Sequence, residues 1–192
     1  MLDSVDLQLA TSCSLSGFVR DADGKAVAGA TVFVRDSRGE CLARMSSCKS
    51  DERGEYTYAG LAPGSYTVSA RAGARAARET ASIAVREDAS ARMDLTLEAG
   101  TMLRVATSDK GDKAVRAGVS VTNEQGLEVG DLQTSEGFQE LMADGWSTSD
   151  QKLGPLPPGK YVVTATTPSG KSTKQSVTLS GESELAIKLR VE

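Results

Sequence analysis

The chain has 192 residues, enough for one large domain or for two of about 90–100 residues that each enclose a core. Its net charge of −4 is spread evenly between the halves before and after Glu98, which leaves no electrostatic footprint for nucleic acid or an acidic membrane surface. With no histidine and only three cysteines, it lacks the commonest general base and the usual four-ligand set of a structural zinc site, so no metal, cofactor or enzymatic activity is expected.

In chain order, residues 5–9 (VDLQL) alternate apolar and polar side chains, the pattern of a half-buried strand. Residues 15–19 form the next strand, and the DADG at 21–24 is a turn, since Asp bonds its own backbone and Gly accepts positive φ. Strands follow at 30–34, with Val32 and Val34 on one face, at 42–50 and at 55–59, separated by SRG and DERG turns. A Pro63-Gly64 turn leads into Tyr66, Val68 and Ala70 on one face, ARAGARAARE is a hairpin tip, and strands at 80–85 and 92–97 complete about seven. No window carries a helical apolar stripe, and no run of about 18 apolar residues is present to cross a membrane. The acidic start lacks the basic-then-apolar build of a signal peptide.

The elements then recur. Residues 25–27 (KAV) return at 113–115, residues 61–70 (LAPGSYTVSA) return at 156–165 as LPPGKYVVTA, and 93–97 (MDLTL) return at 185–189 as LAIKL. Order is kept while spacing drifts, which is how a repeated unit of about 90 residues behaves when its loops change length. The second copy is longer between its second strand and Pro157, and the 126–154 loop carries Phe138 and Trp146. Those rings are either plugs under a long loop or an exposed contact surface on a rigid scaffold. A shift of 88 residues lays 5–9 over 93–97, so the first strand reads as the closing strand of a preceding repeat, or else as an N-terminal extension.

Three blocks carry a family resemblance: Leu15-x-Gly17-x-Val19-x-Asp21-x-Asp23-Gly24 running on to Val27, Gly29, Ala30 and Val32; then Ser50-Asp51-x-x-Gly54-x-Tyr56; then Gly60-Leu61-x-Pro63-Gly64-x-Tyr66. Together they resemble the carboxypeptidase regulatory-like domain. The resemblance implies an all-β chain of two tandem Greek-key β-sandwiches of about seven strands each, of the transthyretin or prealbumin type. It is specific over 15–98. Over 99–192 it is weaker, because Val105 replaces the opening glycine, the Asp-x-x-Gly turn is blurred and only LPPGKY is clear. The expected layout is a remnant strand or extension at 1–14, sandwich 1 at 15–98 and sandwich 2 at 99–192.

Such domains look like non-catalytic modules of larger exported or cell-surface proteins, often bacterial, whose partners are neighbouring domains of the same parent protein. Two alternatives stay open. One is a carbohydrate-binding module that stacks sugars on Trp146, Phe138, Tyr56 and Tyr58; the other is a docking module for a neighbouring enzyme or another surface protein. Related pilin and adhesin domains form Lys–Asn cross-links, but Asn123 is the only asparagine, so none is expected. The Asp21-x-Asp23-Gly24 loop lacks the further oxygen ligands of a calcium site, and Arg71, Arg75 and Arg78 read either as a solvated tip or as a greeting patch for an anionic glycan. Strand parity turns Cys13 and Cys41 inward, which allows either a disulfide between them or two reduced, small apolar side chains.

Overall fold

A computed structural model describes residues 13–42, 48–80, 82–87, 89–129 and 149–191. Those residues are all-β, in fifteen strands. Nine belong to the first sandwich: β1 (Cys13–Asp21), β2 (Thr31–Arg35), β3 (Cys48–Lys49), β4 (Glu55–Leu61), β5 (Gly64–Ala72), β6 (Arg75–Ala76), β7 (Ile83–Val85), β8 (Ser90–Arg92) and β9 (Leu95–Ala99). In one layer β1 pairs antiparallel with β4 and parallel with β8 and then β9. In the other, β5 pairs antiparallel with β2, β6 and β7, and β3 extends the edge beside β2. A short β6–β9 pairing ties the layers together. Alternation sets the core: Leu15 and Val19 from β1, Val32 and Val34 from β2, and Val68 and Ala70 from β5 all face inward.

The second sandwich holds β10 (Thr101–Ser108), β11 (Gly118–Asn123), β12 (Asp150–Leu156), β13 (Gly159–Thr166), β14 (Ser172–Leu179) and β15 (Glu184–Arg190). Its layers are β12-β10-β15 and β11-β13-β14. The pairing plan parallels the first: β10 lies antiparallel to β12 and parallel to β15, and β13 lies antiparallel to β11 and β14. A separate core of Leu103, Val105, Val121, Leu153, Val163 and Leu189 fills it.

One turn recurs through both. The side-chain oxygen of Asp51 accepts the N–H of Arg53 and Glu55 at 2.9 and 2.8 Å, while the Gly54 N–H returns to the Asp51 carbonyl. Asp21, Asp36, Asp109 and Asn123 do the same at their own turns. This is a tight hairpin held by an acidic or amide side chain, with a left-handed residue three places on. At 109–113 that residue is Asp112, with φ of 61°. The blurred motif of the second half is therefore an intact turn, because Asp tolerates the left-handed region better than most residues.

The closing strand departs from expectation. Residues 92–97 alternate as one strand, yet the ladder breaks into β8 and β9 at Met93 and Asp94. The reason is Gly17. A Cβ there would stand 1.9 Å from the Met93 carbonyl oxygen, so the bulge fits only where the side chain is a hydrogen. The Tyr56 hydroxyl donates to that carbonyl at 2.6 Å, and the Phe18 N–H donates to Asp94 Oδ1 at 3.0 Å. In the second sandwich the same place is Val105, and β15 runs beside β10 unbroken from Met102 to Ser108. Between residues 42 and 50 the described strand is only β3, and 43–47 lie outside the described residues. The expected hairpin tip contributes a short strand of its own, β6.

Two exposed carboxylates contribute modestly to the acid limb of stability. Hydrogen bonds from Lys188 and Arg190 hold the Asp112 carboxyl below its ordinary 3.8, and the Arg104 guanidinium does the same for Asp150. A depressed folded value means that the native state releases its proton more readily than the unfolded chain. The stabilisation is then complete above the ordinary carboxylate value and is lost as pH falls through the lowered one. Melting temperature is expected to be flat near neutrality and to fall below about pH 4. Asp112→Asn should flatten part of that fall; an unchanged acid limb would contradict the assignment.

Candidate interface between the sandwiches

The junction is one residue long. β9 ends at Ala99, β10 begins at Thr101, and the Gly100 N–H between them donates to the Ala74 carbonyl at 2.9 Å. A Cβ on Gly100 would lie 2.8 Å from Pro155 Cβ and 3.2 Å from the Ala74 oxygen, so both sandwiches press on this point. With so little chain between them, the two bodies sit against each other.

The face that receives the second sandwich is the outer side of β2 and β5. Alternation sends Val32 and Val34 inward and should leave Phe33 and Arg35 in solvent. Instead Phe33 and Arg35 are buried, as is Ser69 across the ladder. Arg71 places its guanidinium over the Phe33 ring, 5.2 Å from the centroid, and donates to the Val129 carbonyl of the second sandwich.

A buried ion pair sits in this face. Arg35 Nε donates to Glu79 Oε1 at 3.0 Å, with both side chains 4% exposed, and Ser69 Oγ donates to the same oxygen at 2.8 Å. Glu79 Oε2 is buried with no hydrogen-bond partner. Beside it lies a crevice of about 140 Å³, walled by Arg71, Arg78 and Glu79 on one side and by Asn123, Gln125 and Tyr161 on the other. The Tyr161 hydroxyl donates to the Pro157 carbonyl at 2.7 Å, as Tyr66 does to Ala62 at 2.8 Å in the first sandwich. Burial pushes Tyr161 up to about 12, against the pull of Arg78 and Arg71 and with the push of Glu124 and Glu79. All four charges therefore surround one space.

Of the residues expected to bind sugar, the described ones, Tyr56 and Tyr58, do not line this crevice. Trp146 and Phe138 lie outside the described residues. Tyr56 is 1% exposed and bonded to Met93, so its ring has no face open for stacking; this corrects the expectation of a platform. Tyr58 is half-buried on the same strand and packs against the first core. Cys13, Cys41 and Cys48 are not joined in disulfides, and Cys13 Sγ donates to the Arg86 carbonyl at 3.0 Å, so the Cys13–Cys41 disulfide is not formed in this structure. Of the three arginines at the hairpin tip, Arg75 turns away to Asp21 at 3.6 Å, whereas Arg71 and Arg78 line the crevice. Among the described residues no cluster of His, Cys, Asp or Glu has the makings of a metal site. Asp150 is held by Arg104 in a two-pronged contact, Nε to Oδ1 and Nη2 to Oδ2.

Alternation alone missed Arg35 and Glu79. The available signal was an arginine closing an apolar run, TVFVR, a place where a lone charge is unfavourable unless it is paired.

The fold defines a protein of paired β-sandwiches. Within it, residues 14–98, somewhat under half of the chain, match the family described as the carboxypeptidase regulatory-like domain. No curated protein sequence matches the chain. Among solved structures, the Bacillus anthracis TIE protein is similar at 18% identity and a TM-score of 0.40, over 95% of this chain and 34% of that one. A streptococcal ancillary pilin is similar at 13% identity and 0.39, over 94% and 62%. A minor pilin of Streptococcus agalactiae is similar at 11% and 0.38, over 95% of each chain. The chain thus spans well under two thirds of the first of these and just under two thirds of the second. Likenesses of this size carry no function across.

Proposed function

We propose that the chain is a non-catalytic structural and interaction segment of a larger exported or cell-surface protein. In this reading residues 15–98 and 99–192 are two copies of one sandwich unit. Its work is to hold neighbouring domains of the parent protein at a fixed spacing and direction. The observation that carries the reading is the joint: a one-residue linker, a buried ion pair beside the contact face, and an arginine that crosses from β5 to the Val129 carbonyl. A tether between independent domains needs none of these, whereas a semi-rigid rod needs all of them. Small-angle scattering is expected to show an elongated particle whose profile does not change with salt. A compact globular particle, or a flexible one with broad interdomain spread, would overturn the reading.

A further inference from the structure

We propose that the chain carries mechanical tension, each sandwich resisting a pull on its two ends by shear between its first and last strands, with the second sandwich the stronger. The first sandwich is entered at Cys13, the start of β1, and left at Ala99, the end of β9, and β1 and β9 pair in parallel. The second is entered at Thr101, the start of β10, and left at Arg190, the end of β15, and that pair is parallel too. A pull on the ends of either unit therefore slides two paired strands lengthwise past each other. Because the rungs of a parallel ladder are evenly spaced along the strands, sliding loads them together instead of one after another. A single rung is weak, so a ladder opened rung by rung gives way easily and one that must break at once does not.

The two ladders differ. Between β10 and β15 the register runs unbroken through seven pairs, from Met102 with Glu184 to Ser108 with Arg190. Main-chain bonds extend it at both ends, from the Met102 N–H to the Ser183 carbonyl at 3.1 Å and from the Val191 N–H to the Ser108 carbonyl at 2.9 Å. Leu103, Val105 and Leu189 bury its inner side, which keeps water from replacing the rungs one at a time. In the first sandwich the ladder is split. β8 gives three pairs with β1 and β9 another three, with the bulge at Met93 and Asp94 between them. The bracing of β9 by β6 adds only two pairs on its other side. Tension there falls on one short run and then on the next. The junction passes the load on directly, since Gly100 alone separates the strand that ends the first shear pair from the strand that begins the second.

Only the source of the load rests on the spacer reading; rupture is measured on the chain by itself and rigidity of the joint by scattering, so either can fail alone. Single-molecule force spectroscopy on the whole chain, held by handles at its two ends, is the test. Forced rupture reports the barrier to unfolding and not the equilibrium stability, so it separates a strong clamp from a merely stable fold. Two events are expected at different forces, each lengthening the chain by about 300 Å as one sandwich unravels. Gly17→Ala should weaken or abolish the lower-force event and leave the higher one where it was. Moving the first handle to Lys110, an exposed turn residue just past β10, puts both handles at the same end of the β10–β15 pair. The ladder is then unzipped, and the higher rupture force should fall to about half or less, because one rung carries the load at a time. A force unchanged by moving the handle, a higher-force event that responds to Gly17→Ala, or two events at one force would each overturn the proposal.

Discussion

Gly17→Ala is expected to destabilise the first sandwich by about 3 kcal/mol or more, at the upper end for overpacking a finished core. The new methyl would stand 1.9 Å from the Met93 oxygen and 2.6 Å from its carbonyl carbon, and both are backbone. No rotamer change relieves a backbone clash; the β8–β9 bulge has to move. Moving it breaks the Tyr56 bond to the Met93 carbonyl and the Phe18 bond to Asp94. For a sandwich of this size the loss corresponds to a fall in melting temperature of about 15 °C. Because the two sandwiches have separate cores, calorimetry of the full chain should show the fall in one transition and a smaller change in the other. A variant that melts with the parent would mean that the close approach at Gly17 is not what shapes the closing strand.

Glu79→Ala is expected to cost about 3–5 kcal/mol, the range for stripping one partner from a buried ion pair. Arg35 would lose its carboxylate in a face where both side chains are 4% exposed, and Ser69 would lose the acceptor of its hydroxyl. The double replacement Arg35→Met with Glu79→Leu removes both charges at similar volume and should recover most of the loss. A double-mutant cycle in denaturant would then report strong coupling between the two positions. An exposed pair such as Arg78 with Glu98, 61% and 46% exposed, serves as the comparison and should give no more than a few tenths of a kcal/mol. If Glu79→Ala behaved like that exposed pair, the outer face of β2 and β5 would be wet, and the joint would not be closed.

These two sites also show where sequence reading succeeded and where it ran out. Local rules were legible because they are written in neighbouring residues. The Asp-x-x-Gly turns, the inward valines of β2 and the tyrosine that follows each Pro-Gly all fall where spacing and turn chemistry place them. Gly17 was visible as part of a motif, but its purpose was not, since the carbonyl it accommodates lies 76 residues further on in the chain. Val105 carried the same information in reverse: a side chain there announces an unbroken β15. Arg35 was illegible for a different reason. Alternation assigns it to solvent, and its burial comes with a carboxylate 44 residues further on, Glu79, which pairs with it on the outer face. The aromatic residues misled because a tyrosine in a strand reads equally well as a core ring or an open platform; the hydroxyl of Tyr56, bonded to a main-chain carbonyl, decides for the core.

A spacer of this kind requires the two sandwiches to move as one body. Residual dipolar couplings on the full chain, fitted separately for the described residues before and after Gly100, measure it most directly. One alignment tensor, shared in magnitude and orientation by both halves, is the predicted result. Two tensors of different magnitude, each fitting its own half, would show sandwiches that tumble independently and would contradict the account.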